Sequence, residues 1–188
     1  MRLLGTYVNK GKKKGQGCQA LRPSVASRYL WKLVTASKKE HIAIMRVEES
    51  IEINKPLEEV FNYVSDVGNF PQWTAHTLEV RKDTPGPPQQ SDRFTVAIKS
   101  IGRRFETPYE RNSYEANLRY TDRAVGGPVP NQRWDCTFEE VPGGTRLRRA
   151  VEAEMSGILK VLEPIQKRSA ERGLRRDLQT LKDVLESS

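Results

Sequence analysis

The sequence has little cysteine and no long apolar run. Two cysteines, Cys18 and Cys136, among 188 residues cannot build a disulfide framework, and no Asn-X-Ser/Thr glycosylation sequon occurs. No stretch approaches the roughly 18 consecutive apolar residues that a membrane-spanning helix needs. These absences predict a cytoplasmic protein without a transmembrane segment. The length suits one domain with a modest extension.

The sequence also lacks the residues of most metal, cofactor and nucleophilic sites. After residue 45 there is one histidine, His76, and one cysteine, Cys136, which excludes the ligand spacing of a zinc site. No Gly-X-Ser-X-Gly motif and no phosphate-binding Gly-Lys-Ser/Thr loop occur. Residues 15–20 (GQGCQA) match a relaxed dinucleotide fingerprint, but no predicted strand precedes them and no βαβ pattern follows. We therefore expect neither a metal nor a cofactor.

Acidic residues are almost absent from the first 45 positions. This segment carries ten basic residues and one acidic residue, a net charge of +9, whereas the remainder carries 22 basic and 23 acidic residues, a net charge of −1. The whole positive excess of the chain therefore lies in the leader. Because the remainder has no net field that attracts phosphates, we expect no specific nucleic-acid partner for it.

Residues 1–45 are predicted to form a basic, disordered leader. The run at 11–17 (GKKKGQG) is too polar to offset the entropy of ordering it. Three interpretations of the leader stay open: a solvated tail translated from a start upstream of Met45, a targeting peptide, or an arm that contacts nucleic acid or anionic lipid.

Local patterns from residue 46 onward predict strands and short helices in a fixed order. Val47 and Ile53 are an even number of residues apart, so in a first strand their side chains lie on the same face, which we expect to be buried. Residues on the same face are described below as having the same parity. Pro56 suits the first turn of a helix, and Asp66 can cap a second short helix. Six alternating segments follow, separated by turns rich in proline and glycine, and such short connections imply antiparallel neighbours.

The C-terminal segment changes to a helical period. A leucine repeat predicts a long helix over roughly residues 156–186, with Pro164 either kinking it or lying in a late first turn. The predicted fold is α+β: a curved seven-stranded antiparallel sheet around a long C-terminal helix, with two short helices after the first strand. A sheet wrapped around one helix should leave a cavity between them. The repeat consists of Leu174, Leu178, Leu181 and Leu185.

This order resembles the helix-grip superfamily, also described as START-like, birch-pollen-allergen-like or SRPBCC. Within it, the sequence is most similar to the polyketide cyclase/dehydrase and lipid-transport family. The resemblance covers nearly all of residues 46–186 and implies a ligand-binding domain over residues 46–188, with an apolar small molecule (a lipid, polyketide or aromatic metabolite) as partner. The family shares a pocket but no catalytic motif. The resemblance rests on residues 47–53, 54–61 (NKPLEEVF), 64–73 (VSDVGNFPQW), 134–139 (WDCTFE), 142–147 (PGGTRL) and 157–160 (GILK).

Polar side chains with inward parity are the most informative candidates. Tyr109, Tyr120 and Trp134 each carry a polar group that needs a partner when buried, and each could contact a ligand instead. Arg149 shares the inward parity of its strand and could pair with Asp122 or bind a ligand oxygen. The alternative, which the pattern slightly favours, is that the strand twists outward and Arg149 is solvated.

Two further candidates lie near the expected mouth of the pocket. His76 could transfer a proton there, although a lone histidine near a loop is more often incidental. Trp73 could belong to a gate at residues 68–73 that controls ligand passage. Glu106 and Asp135 have outward parity and are expected to pair across the sheet with neighbouring arginines. The complete set of candidate ligand-binding residues is Trp73, His76, Val96, Ile98, Phe105, Thr107, Tyr109, Tyr120, Trp134, Cys136, Arg149, Leu162 and Ile165.

Three functions fit these observations. The first is a binding or carrier protein whose ligand is held by burial of apolar surface, at about 25 cal/mol per Å². The second is a polyketide cyclase or dehydratase that acts by shape and by polarising a carbonyl. The third is an interaction module whose cavity is filled by side chains. The sequence leaves open whether any reaction is catalysed, which ligand is bound and which oligomer forms.

Overall fold

The structure is a computed structural model, and it describes residues 43–100, 102–129, 131–155 and 163–187. These are the described residues. The predictions for the leader, apart from its last residues at the start of the first strand, lie outside them, as does Leu162. Within these residues, no helix is both long enough and apolar enough to cross a membrane.

Seven strands form one antiparallel sheet in the order β1-β7-β6-β5-β4-β3-β2. Each strand from β2 to β6 pairs with the next strand along the chain, as the short predicted turns imply, and β1 pairs with β7. The strands are β1 (Ala43–Ile53), β2 (Thr77–Lys82), β3 (Arg93–Ser100), β4 (Arg103–Glu115), β5 (Arg119–Ala124), β6 (Arg133–Val141) and β7 (Gly144–Met155).

Two short helices and a single 3₁₀ turn lie between β1 and β2. Helix α1 (Leu57–Ser65) follows Pro56 and has Glu58 and Glu59 in its first turn. Carboxylates there interact favourably with the positive end of the helix dipole. The 3₁₀ turn Val67–Asn69 is capped by the Asp66 carboxylate, which accepts from the Gly68 amide at 3.0 Å. Helix α2 (Phe70–Trp73) follows directly. These elements confirm the predicted order. Asp66 caps the 3₁₀ turn and not α2, whose N-cap residue Asn69 makes no side-chain capping bond.

The long helix α3 (Glu163–Glu186) packs on the sheet through the predicted leucine stripe. Pro164 lies in its first turn, where a missing amide hydrogen has no cost. The last turns are also tied to β1, because Lys182 Nζ donates to the Glu52 carbonyl oxygen at 2.8 Å. Ile165, in contrast, is 67% exposed and lies off this stripe. The four leucines Leu174, Leu178, Leu181 and Leu185 are each at most 4% exposed.

Replacing Leu181 with alanine is expected to lower the free energy of unfolding by about 3 kcal/mol, because Leu181 is fully buried between helix and sheet. Ile165→Ala removes similar apolar volume from an exposed position and should leave stability within about 0.5 kcal/mol. Urea denaturation followed by circular dichroism measures both. Equal losses in the two variants would show that α3 does not grip the sheet through the leucine stripe.

Alternation along the sequence predicts that Leu78 and Leu118 face inward. Both predictions are wrong, and each has a local cause. The pairing of β2 with β3 shifts between Thr77 and Glu79, so the parity flips and Leu78 is 47% exposed while Thr77 turns inward. Leu118 was expected on a strand face but lies in the turn between β4 and β5, where it is 51% exposed.

Glu106 and Asp135 on the outward face do pair with arginines, but each of these arginines lies two residues away on the same strand and not across the sheet. Glu106 is exposed and pairs with Arg104 at 2.9 Å. Asp135 pairs with Arg133 at 2.8 Å and accepts a hydrogen bond from the Thr121 hydroxyl. Such partly solvated pairs contribute little to stability, so the fold depends on its inner face.

Candidate ligand-binding cavity

A cavity of about 230 Å³ lies inside the curve of the sheet, bounded by strands β2 to β7, the turn after α2 and helix α3. Most of its wall is aromatic or aliphatic, and a few polar groups converge on it. This combination is typical of small-molecule sites. Its lining residues are Phe70, Thr74, His76, Thr77, Phe94, Val96, Ile98, Tyr109, Tyr120, Asp122, Gln132, Trp134, Cys136, Arg149 and Asp177.

Eight of the thirteen candidate residues line this cavity, because the inward parity of β3 to β7 holds along most of each strand. They are His76, Val96, Ile98, Tyr109, Tyr120, Trp134, Cys136 and Arg149. Whether these side chains contact a ligand stays a prediction.

The other candidates lie elsewhere. Trp73 is buried in the core behind the cavity wall, at 1% exposure. Thr107 is covered by the β5–β6 loop, which comes so close that a Cβ on Gly127 would lie 2.9 Å from the Thr107 hydroxyl oxygen. Phe105 is half-buried outside the lining, and Ile165 points to solvent because it falls off the leucine stripe. Leu162 is outside the described residues.

Arg111 and Asp122 form a buried ion pair on the inner face of the sheet, and all three guanidinium nitrogens of Arg111 have hydrogen-bond partners. Arg111 donates from Nε and Nη2 to the two carboxylate oxygens of Asp122, at 2.8 and 3.1 Å, and from Nη1 to the Ser65 carbonyl oxygen at 2.9 Å. Its guanidinium also lies over the Tyr120 ring, 4.3 Å from the centroid. Burial by itself lowers the pKa of Arg111, but the hydrogen bonds and charge of Asp122 more than offset this and raise it.

This pair corrects the predicted partner of Asp122. The carboxylate that could have neutralised Arg149 is already held by Arg111 through two hydrogen bonds. Arg111 continues the inward parity of Thr107 and Tyr109, so the sequence did carry a signal for it. Arg111 was not among the candidates, because a charged residue interrupts the apolar alternation by which a buried face is recognised.

Arg149 is the second buried arginine, and its environment is different. It is 6% exposed and therefore not solvated, contrary to the slightly favoured expectation. Its guanidinium packs over the rings of Trp73 and Trp134, with Cζ 4.7 and 4.3 Å from the two centroids. Nε and Nη1 are buried without a hydrogen-bond partner among the described residues. A cation thus reaches the cavity wall with unused donors.

Burial favours the neutral forms of the two tyrosine hydroxyls and the cysteine thiol of the wall. Burial raises the pKa of Tyr109 to about 12, and its hydroxyl donates to Gln132 Oε1 at 2.7 Å. Burial also raises the pKa of Tyr120 well above its ordinary value and raises that of the Cys136 thiol. The thiol is therefore a poor nucleophile, since the thiolate is the reactive form.

Asp177 of α3 and His76 add polar groups at one side of the cavity. The Asp177 carboxylate accepts from the Ala75 amide at 3.0 Å. Burial raises the pKa of this carboxyl, while the Ala75 hydrogen bond and the charges of Arg149 and His76 act against that rise. His76 is exposed and so lies on the rim. Across the described parts of the chain, no three His, Cys, Asp or Glu side chains converge as a metal site.

Several wall residues were not among the candidates. Asp177 lies one position from Leu178 on α3, next to the buried stripe, and only the rotation of the packed helix decides that it faces the cavity. Gln132 comes from a loop, where no periodicity applies. Thr77 reaches the wall only because β2 is bulged.

Comparisons with solved structures agree with this architecture. The chain is similar to the Zhui aromatase/cyclase from Streptomyces sp. R1128 (TM-score 0.66, 14% identity, 77% of this chain and 94% of that chain). It is also similar to a START superfamily protein from Mycobacterium smegmatis (TM-score 0.63, 16% identity, 76% and 97%). A third match is Ara h 8.0201 (TM-score 0.57, 13% identity, 78% and 100%). At these identities the likeness shows the shared helix-grip fold.

A search of curated protein sequences finds no match. A family model described as polyketide cyclase/dehydrase and lipid transport matches residues 45–186, which includes every strand from β2 to β7, nearly all of β1 and the whole of α3. Because this model matches well over half of the chain, the chain belongs to the polyketide cyclase/dehydrase and lipid-transport family, and its fold is the helix-grip fold.

Proposed function

We propose that the protein binds a small apolar molecule in the cavity between sheet and C-terminal helix. The observation that carries the proposal is the cavity itself: about 230 Å³ of space walled mainly by apolar side chains, in the interior of a small domain. Well-packed interiors hold few voids larger than a water molecule. A space of this size is therefore better explained as a binding site than as imperfect packing.

The volume limits the ligand. Sites for drug-sized molecules typically enclose about 300–1,000 Å³, and this cavity lies slightly below that range. A two-ring aromatic molecule or a short acyl chain suits it better than a complete long-chain lipid. Burial of ligand surface would supply the main driving force, at about 25 cal/mol per Å² of apolar area.

Filling the cavity should abolish binding. Ile98 lines the wall and is only half-buried, so Ile98→Trp can place a large side chain in the cavity with little strain on the core. With 2-naphthol as a neutral probe, isothermal titration calorimetry should show one saturable site in the unmodified chain and at least about tenfold weaker binding in the variant.

Val125→Trp is the matched control, since Val125 is 59% exposed and outside the cavity lining. It should bind 2-naphthol like the unmodified chain. Equal binding by the two tryptophan variants would place the probe elsewhere, and no binding by the unmodified chain would count against this use of the cavity.

A cyclase or dehydratase is the second candidate function, and Arg149 is the observation that favours it. A buried guanidinium with unused donors could polarise a carbonyl oxygen as negative charge develops on it. Native mass spectrometry after incubation with candidate ligands separates the two functions. Unchanged bound ligand supports a carrier, whereas a product that no longer forms with Arg149→Ala or His76→Ala supports the enzyme.

A further inference from the structure

The two inward arginines form a natural comparison within one molecule. Both are buried, at 1% exposure for Arg111 and 6% for Arg149, and both lie over aromatic rings. Arg111 uses all three nitrogens in hydrogen bonds to Asp122 and Ser65. Arg149 has the same burial without those bonds, because its Nε and Nη1 have no partner among the described residues.

The aromatic contacts of Arg149 do not compensate for the hydrogen bonds that its buried guanidinium lacks. A cation–π contact contributes about 0.5–2 kcal/mol, whereas moving a charged group out of water costs several kcal/mol. The two tryptophan rings also supply no lone pair to Nε and Nη1, which have no hydrogen-bond partner among the described residues. The side chain is therefore held in position with its donors unsatisfied.

The neighbouring carboxylates do not supply the missing partner. Asp122 is held by Arg111. Asp177 is close enough for its pKa to respond to the charge of Arg149, but its carboxylate accepts a hydrogen bond from the Ala75 amide, at 3.0 Å, and none from Arg149. An anion from outside the protein could accept hydrogen bonds from the unpartnered donors of Arg149. The Arg149 side chain lines the cavity in which an apolar molecule is proposed to bind, so such an anion could reach it there.

We propose that the cavity selects apolar carboxylates and that Arg149 binds the carboxylate group. This inference rests on the proposed function, since it adds a chemical class to the same site. Nε and Nη1 lie on different edges of the guanidinium, so a carboxylate would accept two parallel hydrogen bonds from Nη2 and one of these two nitrogens. The low dielectric of the cavity strengthens such bonds. The apolar remainder of the ligand would then fill the space lined by Phe94, Val96 and Ile98.

The test compares two probes of nearly equal shape, 2-naphthoate and 2-naphthamide, by isothermal titration calorimetry on the full chain. The unmodified protein should bind the carboxylate at least about tenfold more tightly than the amide. Arg149→Met should lose this preference, because the thioether side chain still packs against the tryptophan rings but donates no hydrogen bond. Arg149→Lys should show a reduced preference, since it keeps the charge but not the planar fork.

Arg148→Met is the matched control. Arg148 is the next residue on β7, faces outward and is exposed, so its loss should leave the preference unchanged. Asp177→Asn provides an independent readout. Its amide oxygen can still accept from the Ala75 amide, but the nearby negative charge is gone, and the ratio of naphthoate to naphthamide affinity should rise.

The outcomes separate this inference from the proposed function. If both probes bind equally, or if Arg149→Met and Arg149→Lys keep the full preference, selection by Arg149 is overturned while apolar binding stands. If neither probe binds and 2-naphthol does not bind either, both proposals fail. Thermal unfolding of each variant checks that it is folded; if Arg149→Met is not, Arg149→Lys and Asp177→Asn decide the result.

Discussion

Asp122→Ala is expected to lower the free energy of unfolding by about 3–5 kcal/mol, a large part of the stability of a domain this size. The reason is the group that remains. Without the carboxylate, Arg111 stays buried with one hydrogen bond to Ser65 and a ring contact with Tyr120, and two of its nitrogens lose their partners. Equilibrium urea denaturation followed by circular dichroism measures the loss.

Two controls make this result specific to the ion pair. The double variant Arg111→Met/Asp122→Leu removes both charges and fills the space with apolar atoms, so it should recover most of the stability lost by Asp122→Ala. Glu106→Ala breaks an exposed pair on the outer face and should change stability little. If the double variant is as unstable as Asp122→Ala, the unpaired charge of Arg111 does not explain the loss.

The features that were predictable from the sequence depend on local patterns. The order of elements, the antiparallel neighbours and the leucine stripe of α3 all follow from periodicity and turn chemistry within about ten residues. The inner face of β6 illustrates this well, because Cys136 and Phe138 point inward as parity predicts. The helix-grip fold was therefore predictable in its order, its sheet and its covering helix.

The errors arise where one local irregularity changes the phase of a pattern. A bulge at Thr77/Glu79 reverses parity in β2, so Leu78 faces solvent although its neighbours alternate correctly. Another shift, between Arg111 and Ser113, lets Tyr114 pack against the core although it has the opposite parity to Tyr109. No residue type in the sequence marks either bulge.

The polar part of the cavity was the least predictable, because it depends on which partners meet in space. Parity placed Arg149 and Asp122 on the same inner face, and both do lie there. Parity could not decide which arginine would pair with Asp122. The register of β4 and β5 decides it, since Arg111 and Asp122 are direct cross-strand neighbours. The consequence is that Arg149 lacks a protein carboxylate as a hydrogen-bond partner among the described residues.

The hypothesis that residues 68–73 form a gate stays a prediction, and the position of Trp73 gives it a stringent test. Trp73 is 1% exposed, packs edge-on against Phe70 with ring centroids 5.5 Å apart, and contacts Arg149 from the side of the core. Faster ligand exchange in a Trp73 variant therefore supports a gate only if the domain remains folded.

Trp73→Ala is expected to lower the free energy of unfolding by about 3–5 kcal/mol, because it empties the largest fully buried side-chain volume of the core. It also removes one of the two rings that lie over the Arg149 guanidinium, which leaves that cation less well packed. Circular dichroism during urea denaturation is the appropriate measurement, since the substitution removes a fluorophore.

Trp73→Phe keeps an aromatic ring at this position, so comparison with Trp73→Ala shows how much of the stability depends on the ring. Phenylalanine keeps a ring face for Arg149, and it has no N–H, whereas Trp73 Nε1 is buried without a partner among the described residues. We therefore expect Trp73→Phe to lose clearly less stability than Trp73→Ala and to remain folded for ligand-exchange measurements.

A loss below about 1 kcal/mol for Trp73→Ala would contradict the buried position, because surface substitutions cost no more than that. Faster release of 2-naphthol from folded Trp73→Phe would instead support a gate at residues 68–73, and an unchanged rate would leave Trp73 as a core residue that positions Arg149.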